Sequence, residues 1–210
     1  MSGTYRISQT SICKIIPETC DALWNVLCAD GYLNLPTNEG EWKTVADEFE
    51  RKWNFPNCLG AMDGKHVVIV APAISGTLFF NYKKTFSIVL LAICNANYEF
   101  LMVDIGEAGR QSDAGVFANS NIERSITKNL LPVPNPCALP RTTKQFPYVF
   151  VADDAFPLRL HIVKPCTDCN LDIKKSIANY RISRARRIIE NTFRILAARF
   201  RIFYRPINAN

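Results

Sequence analysis

The sequence predicts a mixed α/β protein with a small helical region ahead of the main domain, and three observations carry that expectation. Apolar residues recur at helical spacing up to about residue 54, runs rich in β-branched residues take over after Pro56, and helical spacing returns from Ile173. With 210 residues, 48% of them hydrophobic and 21% charged, there is enough apolar material for one principal core.

In the helical region, residues 1–54, Ile12, Ile15, Ile16, Leu23, Trp24, Val26 and Leu27 predict two short helices meeting near Pro17. Val45, Ala46, Phe49 and Trp53 predict a further helix, which Phe55-Pro56 ends. The main domain, residues 55–210, opens with strands expected at 59–70, 86–94, 100–105 and 148–152. Leu90-Leu91-Ala92-Ile93 and Val149-Phe150-Val151 are apolar on both faces, which places them in the middle of a sheet covered on both sides. Residues 112–131 are helix-compatible, and Pro132, Pro134, Pro136 and Pro140 make the loop that follows. In the last helical stretch Ile189, Phe193, Leu196 and Phe200 form one apolar stripe.

No apolar run reaches the length of a membrane span, and the first residues lack the apolar core of a signal peptide, so a soluble intracellular protein is expected. The eight cysteines are too sparse for a disulfide scaffold and are read as reduced thiols. Cys166-Thr-Asp-Cys169 has half the spacing of a zinc site, but no second pair follows, and His66 and His161 are the only histidines, so structural zinc is not expected. The net charge of +6 is unevenly spread: residues 174–205 hold ten Lys/Arg and one acid, so the rest of the chain is net acidic. A polyanionic partner for that segment follows, the alternative being a solvated helix face.

Three acids stand where structure alone explains them poorly. Asp63 lies in an otherwise apolar segment, Leu59-Gly-Ala-Met-Asp-Gly-Lys-His-Val, where a buried carboxylate needs a partner, although Asp63-Gly64 is also a hairpin-turn signal. Asp153 and Asp154 follow Tyr148-Val-Phe-Val-Ala, at the carboxyl end of a predicted strand where ligands of open sheets gather; an N-cap or Asx-turn would account for one of them. Glu190 is the single acid of the basic segment, with Arg186, Arg187 and Arg194 three or four residues away, a spacing that also suits an intrahelical ion pair. Carboxylates delivered from two strands and a helix can hold two divalent ions about 3.5–4 Å apart, a constellation suited to phosphodiester chemistry, and hard oxygen ligands favour Mg²⁺ or Mn²⁺.

Four blocks extend this into a family resemblance: Phe55-Pro-Asn-Cys-Leu-Gly-Ala-Met-Asp-Gly-Lys-His, Gly109-Arg-Gln-Ser-Asp-Ala-Gly-Val-Phe-Ala-Asn-Ser, Ala152-Asp-Asp-Ala-Phe-Pro-Leu and Asn179-Tyr-Arg-Ile-Ser-Arg-Ala-Arg-Arg-Ile-Ile-Glu-Asn-Thr-Phe. In order and spacing the chain resembles the nuclease domain of PIF/Harbinger-type transposases, the DDE superfamily endonucleases. The resemblance implies an RNase H-like fold, with the acidic triad on Asp63, Asp153 and Glu190 and a further metal-site acid on Asp113. It implies a DNA endonuclease or strand-transfer activity dependent on Mg²⁺ or Mn²⁺. The placement of basic charge around Glu190 separately sets Lys174, Lys175, Arg181, Arg184, Arg186, Arg187 and Arg194 along the DNA backbone as an expectation. The resemblance also implies a separate Myb/SANT-like partner protein that brings the chain to the nucleus, without which a cytoplasmic location is possible. Where the family has Gly-Asp-Ser-Gly-Tyr-Pro, this chain has Ala152-Asp153-Asp154-Ala155-Phe156-Pro157, so the choice of Asp153 over Asp154 rests on alignment. The family's longer helical ends suggest a truncated domain here, and a catalytically idle, transposase-derived DNA- or protein-binding protein is the alternative reading.

Overall fold

The structure, a computed structural model, describes residues 6–32, 35–168 and 171–208. It divides into two compact units, residues 1–35 and 36–210. Within the described part of the first, α1 (Gln9–Ala29) is one continuous helix, with the Ser8 hydroxyl accepting from the Ser11 N–H at 3.0 Å. The two short helices expected to meet at Pro17 are therefore one. A proline inside a helix forfeits one backbone hydrogen bond and crowds the preceding turn, and here that does not end the helix.

The second unit begins with α2 (Glu39–Trp53), opened by a capping box: Asn38 Oδ1 accepts from the Glu41 N–H at 3.0 Å while the Glu41 carboxylate accepts from the Thr37 N–H at 2.7 Å. Asn54 closes the helix in the left-handed conformation, at φ 54°. The sequence grouped this helix with the N-terminal region up to residue 54. Its apolar face instead belongs to the second unit, where Trp42 and Phe49 are fully buried.

A five-stranded sheet runs in the order β3 (Phe100–Ala108), β2 (Ser87–Cys94), β1 (Cys58–Val68), β6 (Val149–Val151) and β7 (Ile162–Val163). β1 pairs antiparallel with β2 and parallel with β6, so it is the central strand and the point where the sheet changes from antiparallel to parallel. The four expected strands are present, and β2 and β6 lie in the sheet interior as their two-sided apolarity predicts. The two-residue β7 and the small hairpin of β4 (Cys137–Ala138) and β5 (Gln145–Phe146) have no strand signal of their own, and the sequence predicts no strand at any of them.

Between β3 and β4, the helix-compatible stretch 112–131 is two short helices, α3 (Asp113–Asn119) and α4 (Asn121–Thr127). Ser120 interrupts them: its backbone is extended, at φ −78° and ψ 155°, and its hydroxyl accepts from the Glu123 N–H at 3.0 Å to start the second helix. After β7 comes α5 (Ile173–Arg199), capped by Asp172, followed by a 3₁₀ turn at Arg201–Tyr204. α5 buries Ile182, Ala185, Ile188, Ile189 and Phe193 in one core with Val45 and Phe49 of α2 and Ala61, Leu90, Ala92 and Val151 of the sheet. Leu91 and Ile93 alternate with that set and point to the other face, yet are also fully buried, so both faces are covered. The expected stripe on α5 holds as far as Leu196, which packs half-buried against this core, whereas Phe200 is exposed. The mixed α/β architecture is that of an RNase H-like fold, as the sequence implied.

Because Phe49 ties α2 to the sheet from a fully buried position, Phe49→Ala is expected to destabilise the protein by ~3–5 kcal/mol in urea denaturation. A loss below ~1 kcal/mol would show that α2 is not part of this core.

Candidate metal centre

Asp63 sits in the middle of β1, paired with Ala92 of β2, so Asp63-Gly64 is not a turn. Strand alternation sends Asp63 and Gly64 to opposite faces. A side chain at Gly64 would stand 2.5 Å from Asp113 Oδ1, so the absent Cβ is what lets Asp113 approach β1. Asp113 is the first residue of α3, but Ser112, not Asp113, caps that helix, its hydroxyl accepting from the Gly115 N–H at 3.3 Å. The Asp113 carboxylate is thereby left for the site. Asp153 follows β6, the neighbour of β1, and its Oδ1 accepts from the Ala155 N–H at 3.0 Å, which fixes the carboxylate in an Asx-turn.

These three elements deliver Asp63, Asp113 and Asp153 to one spot, where each offers a carboxylate oxygen within 4.8 Å of the others and all three residues are half-buried. Asp154, by contrast, is exposed and outside the group. Three hard oxygen donors converging in this way fit a divalent cation such as Mg²⁺ or Mn²⁺, with room left for water and phosphate oxygens.

Glu190 does not join this group. One Arg186 nitrogen lies 2.8 Å from Glu190 Oε1 and the other 3.8 Å from Asp63 Oδ2, so a single guanidinium stands between Glu190 and the aspartates. The spacing of four residues along α5 makes that bridge available locally. The other basic residues predicted to track DNA are spread along the helix. Lys175 is paired with Asp168 at 2.8 Å, and Lys174 and Arg181 border an apolar groove of about 450 Å³ with Phe55, Phe146 and Ile177. Arg187 and Arg194 are exposed and Arg184 is half-buried. Among the described residues the seven cysteines are unpaired; Cys169 lies outside them.

Burial and mutual repulsion favour the protonated form of the Asp63 and Asp113 carboxyls. Burial pushes the Asp63 carboxyl up to about 6, the Asp153 and Asp113 charges push in the same direction, and the Gly64 N–H and Arg186 oppose them. Burial followed by Asp153 also raises Asp113, while Lys83 pulls it down. Gly64 was missed in the sequence because it was weighed as a turn former. Glycine inside a strand is equally a sign of close approach by another group, and that signal was present.

With this geometry in hand, the comparisons with known proteins take on a structural meaning. The family model described as DDE superfamily endonuclease matches residues 62–210, and the chain belongs to that family. It is 26% identical to the rat protein named "Putative nuclease HARBI1" and 25% identical to the human one, each over 205 residues that cover 96% of this chain and 53% of the relative. It is 29% identical to the Arabidopsis thaliana protein named "Protein ALP1-like" over 167 residues, 77% of this chain and 41% of that one. The chain thus spans about half the length of the curated relatives it matches, and the Harbinger-type resemblance of the four sequence blocks is borne out. No solved structure matches it significantly. Among the described residues no helix is long and apolar enough to cross a membrane.

The raised Asp63 pKa has a direct consequence for stability. The folded state holds this proton more tightly than an unfolded carboxyl with its ordinary value of 3.8, so the stabilisation is complete below about pH 4 and is lost as pH rises through about 6. In chelator, Asp63→Asn is expected to melt above the wild type at pH 8, by up to ~3 kcal/mol, with the gap closing towards pH 4. Equal melts at pH 8 would contradict the burial of an uncompensated carboxylate.

Proposed function

We propose that the chain is a divalent-metal-dependent DNA nuclease domain of the transposase type, cleaving or transferring phosphodiester bonds, with Asp63, Asp113 and Asp153 as the metal-holding residues. One observation carries this reading: in a chain of the DDE endonuclease family, three separate elements converge their aspartates on one spot beside the central strand. A divalent cation bound there supplies charge stabilisation at the phosphate and activation of the attacking oxygen, which belongs to water or to a DNA 3′-hydroxyl. Mg²⁺ and Mn²⁺ both suit the oxygen donors.

The protein's own residues set the geometry. Asp63 is held by the β1 ladder and by the Gly64 N–H on its Oδ1 at 2.8 Å, and Asp153 by its Asx-turn, so neither carboxylate has to be ordered when DNA arrives. Glu190 becomes a fourth carboxylate when Arg186 turns away from it. The released guanidinium then faces a phosphate, which it suits as a bidentate donor. Lys174, Lys175, Arg181, Arg184, Arg187 and Arg194 extend the cationic surface for the DNA backbone. A Myb/SANT-like partner and a nuclear location complete the reading; a nuclear fraction lacking the protein in cells that express such a partner would count against them.

The second reading, a catalytically idle domain that only binds DNA or protein, has one observation in its favour. Arg186 pairs with Glu190 and approaches Asp63, so it occupies the place where Glu190 would join the aspartates.

Supercoiled plasmid separates the two. The nuclease reading expects nicking with Mg²⁺ or Mn²⁺ at low salt that falls by about 100-fold or more in Asp63→Asn, Asp113→Asn and Asp153→Asn. Equal traces from wild type and variants would support the idle domain instead.

A further inference from the structure

The N-terminal part of α5 runs outside the core. No residue of the helix ahead of Ile182 is buried, although Ile173, Ile177 and Tyr180 lie there. Ile177, 51% exposed, stands in one wall of the apolar groove of about 450 Å³. Lys174, Ile177, Ala178, Arg181 and Ile182 make that wall, three or four residues apart along one face of the helix. Phe55 ahead of β1, Leu139 and Phe146 of the β4–β5 hairpin and Val163 of β7 line the rest, and Phe146 is 44% exposed.

Both walls are held in place by side-chain amides. Asn57 Nδ2 donates to the Phe146 carbonyl at 3.1 Å, which ties β5 to the chain entering β1. Asn179 grips the backbone of Cys166 twice: its Oδ1 accepts from the Cys166 N–H at 2.8 Å and its Nδ2 donates to the Cys166 carbonyl at 2.8 Å. The exposed end of α5 is thereby fixed to the segment after β7, and the groove is formed before anything enters it. Its charge is one-sided. No acid lines it, and among the described residues Lys174 and Arg181 form no ion pair. Two turns of helix set these cations about 10 Å apart along the wall.

An exposed apolar groove with an uncompensated cation near either end of one wall is complementary to an apolar surface flanked by carboxylates. We propose that the groove docks a short amphipathic helix of a partner protein, with the apolar stripe of that helix against Phe146 and Ile177 and its carboxylates, about two turns apart, on Lys174 and Arg181. A helix suits the site because acids two turns apart repeat the spacing of the two cations on α5. Duplex DNA matches the cations but brings no apolar surface to bury against Phe55, Leu139, Phe146 and Ile177. The inference goes beyond the nuclease reading and holds whether or not the aspartates cleave DNA. Where both hold, the partner and DNA share Lys174 and Arg181, so an occupied groove weakens DNA binding.

The test is selection of phage-displayed random peptides on the full chain, followed by fluorescence anisotropy of the enriched sequences as labelled peptides. Enriched peptides are expected to combine apolar residues at helical spacing with Asp or Glu. They should bind Ile177→Ser about fivefold or more weakly than wild type, and Lys174→Ala/Arg181→Ala likewise. Lys174→Arg/Arg181→Lys should restore binding, and Lys128→Ala, an exposed lysine elsewhere, should leave it unchanged. Every substituted side chain is exposed, so these variants should melt with the wild type. Ile177→Ser removes apolar surface and no charge, so a labelled DNA duplex should bind it as it binds wild type. No enrichment, enriched peptides without acids, or peptides indifferent to both variants overturn the proposal. A dimer of the chain that Ile177→Ser dissolves puts a second copy in the groove, and a duplex that Ile177→Ser weakens while no peptide is selected gives the groove to DNA; either result overturns it as well.

Discussion

Three carboxylates within 4.8 Å of one another repel, and the rest of the second unit is arranged around holding them there. Left to themselves the side chains would separate into water. They stay because each is anchored in a different way: Asp63 by the ladder of the central strand, Asp153 by an Asx-turn at the end of its parallel neighbour, and Asp113 by the first turn of a helix that Ser112 caps. The sheet order places two of the three side by side, since β6 adds to β1 with its carboxyl end aligned beside Asp63. Gly64 completes the arrangement by having no side chain where the third carboxylate must stand.

The fold also supplies the opposing charge. Arg186 reaches the site from α5, whose buried seam of Ile182, Ala185, Ile188 and Ile189 fixes how that helix lies on the sheet. The acid site and the hydrophobic core are therefore parts of one design: the residues that bury α5 also determine where Arg186 and Glu190 sit.

Much of this was legible in the sequence, for identifiable reasons. Runs that are apolar on both faces announced β2 and β6, and acids inside apolar context announced Asp63 and Asp153. The two-residue β7 and the β4–β5 hairpin were not legible, because so short a pairing is set by neighbours in space and leaves no periodicity. Ser120 split a helix that the apolar pattern alone ran straight through, and Pro17 did not split one that it was expected to. At the site, the resemblance implied Glu190 as the third acid of the triad and Asp113 as a further one, and the structure gathers Asp113 with Asp63 and Asp153 while Glu190 pairs with Arg186. The difference is a matter of side-chain placement across four residues of helix, which spacing cannot resolve.

The most direct test is a crystal of the protein soaked in Mn²⁺ and measured at the manganese absorption edge. The account predicts one anomalous peak or a close pair within coordination distance, about 2.0–2.4 Å, of carboxylate oxygens of Asp63, Asp113 and Asp153. A difference map showing Arg186 turned away and Glu190 drawn in would agree with the released state. Anomalous density found only on exposed acids, with the three aspartates unchanged and Arg186 still bridging, would contradict it.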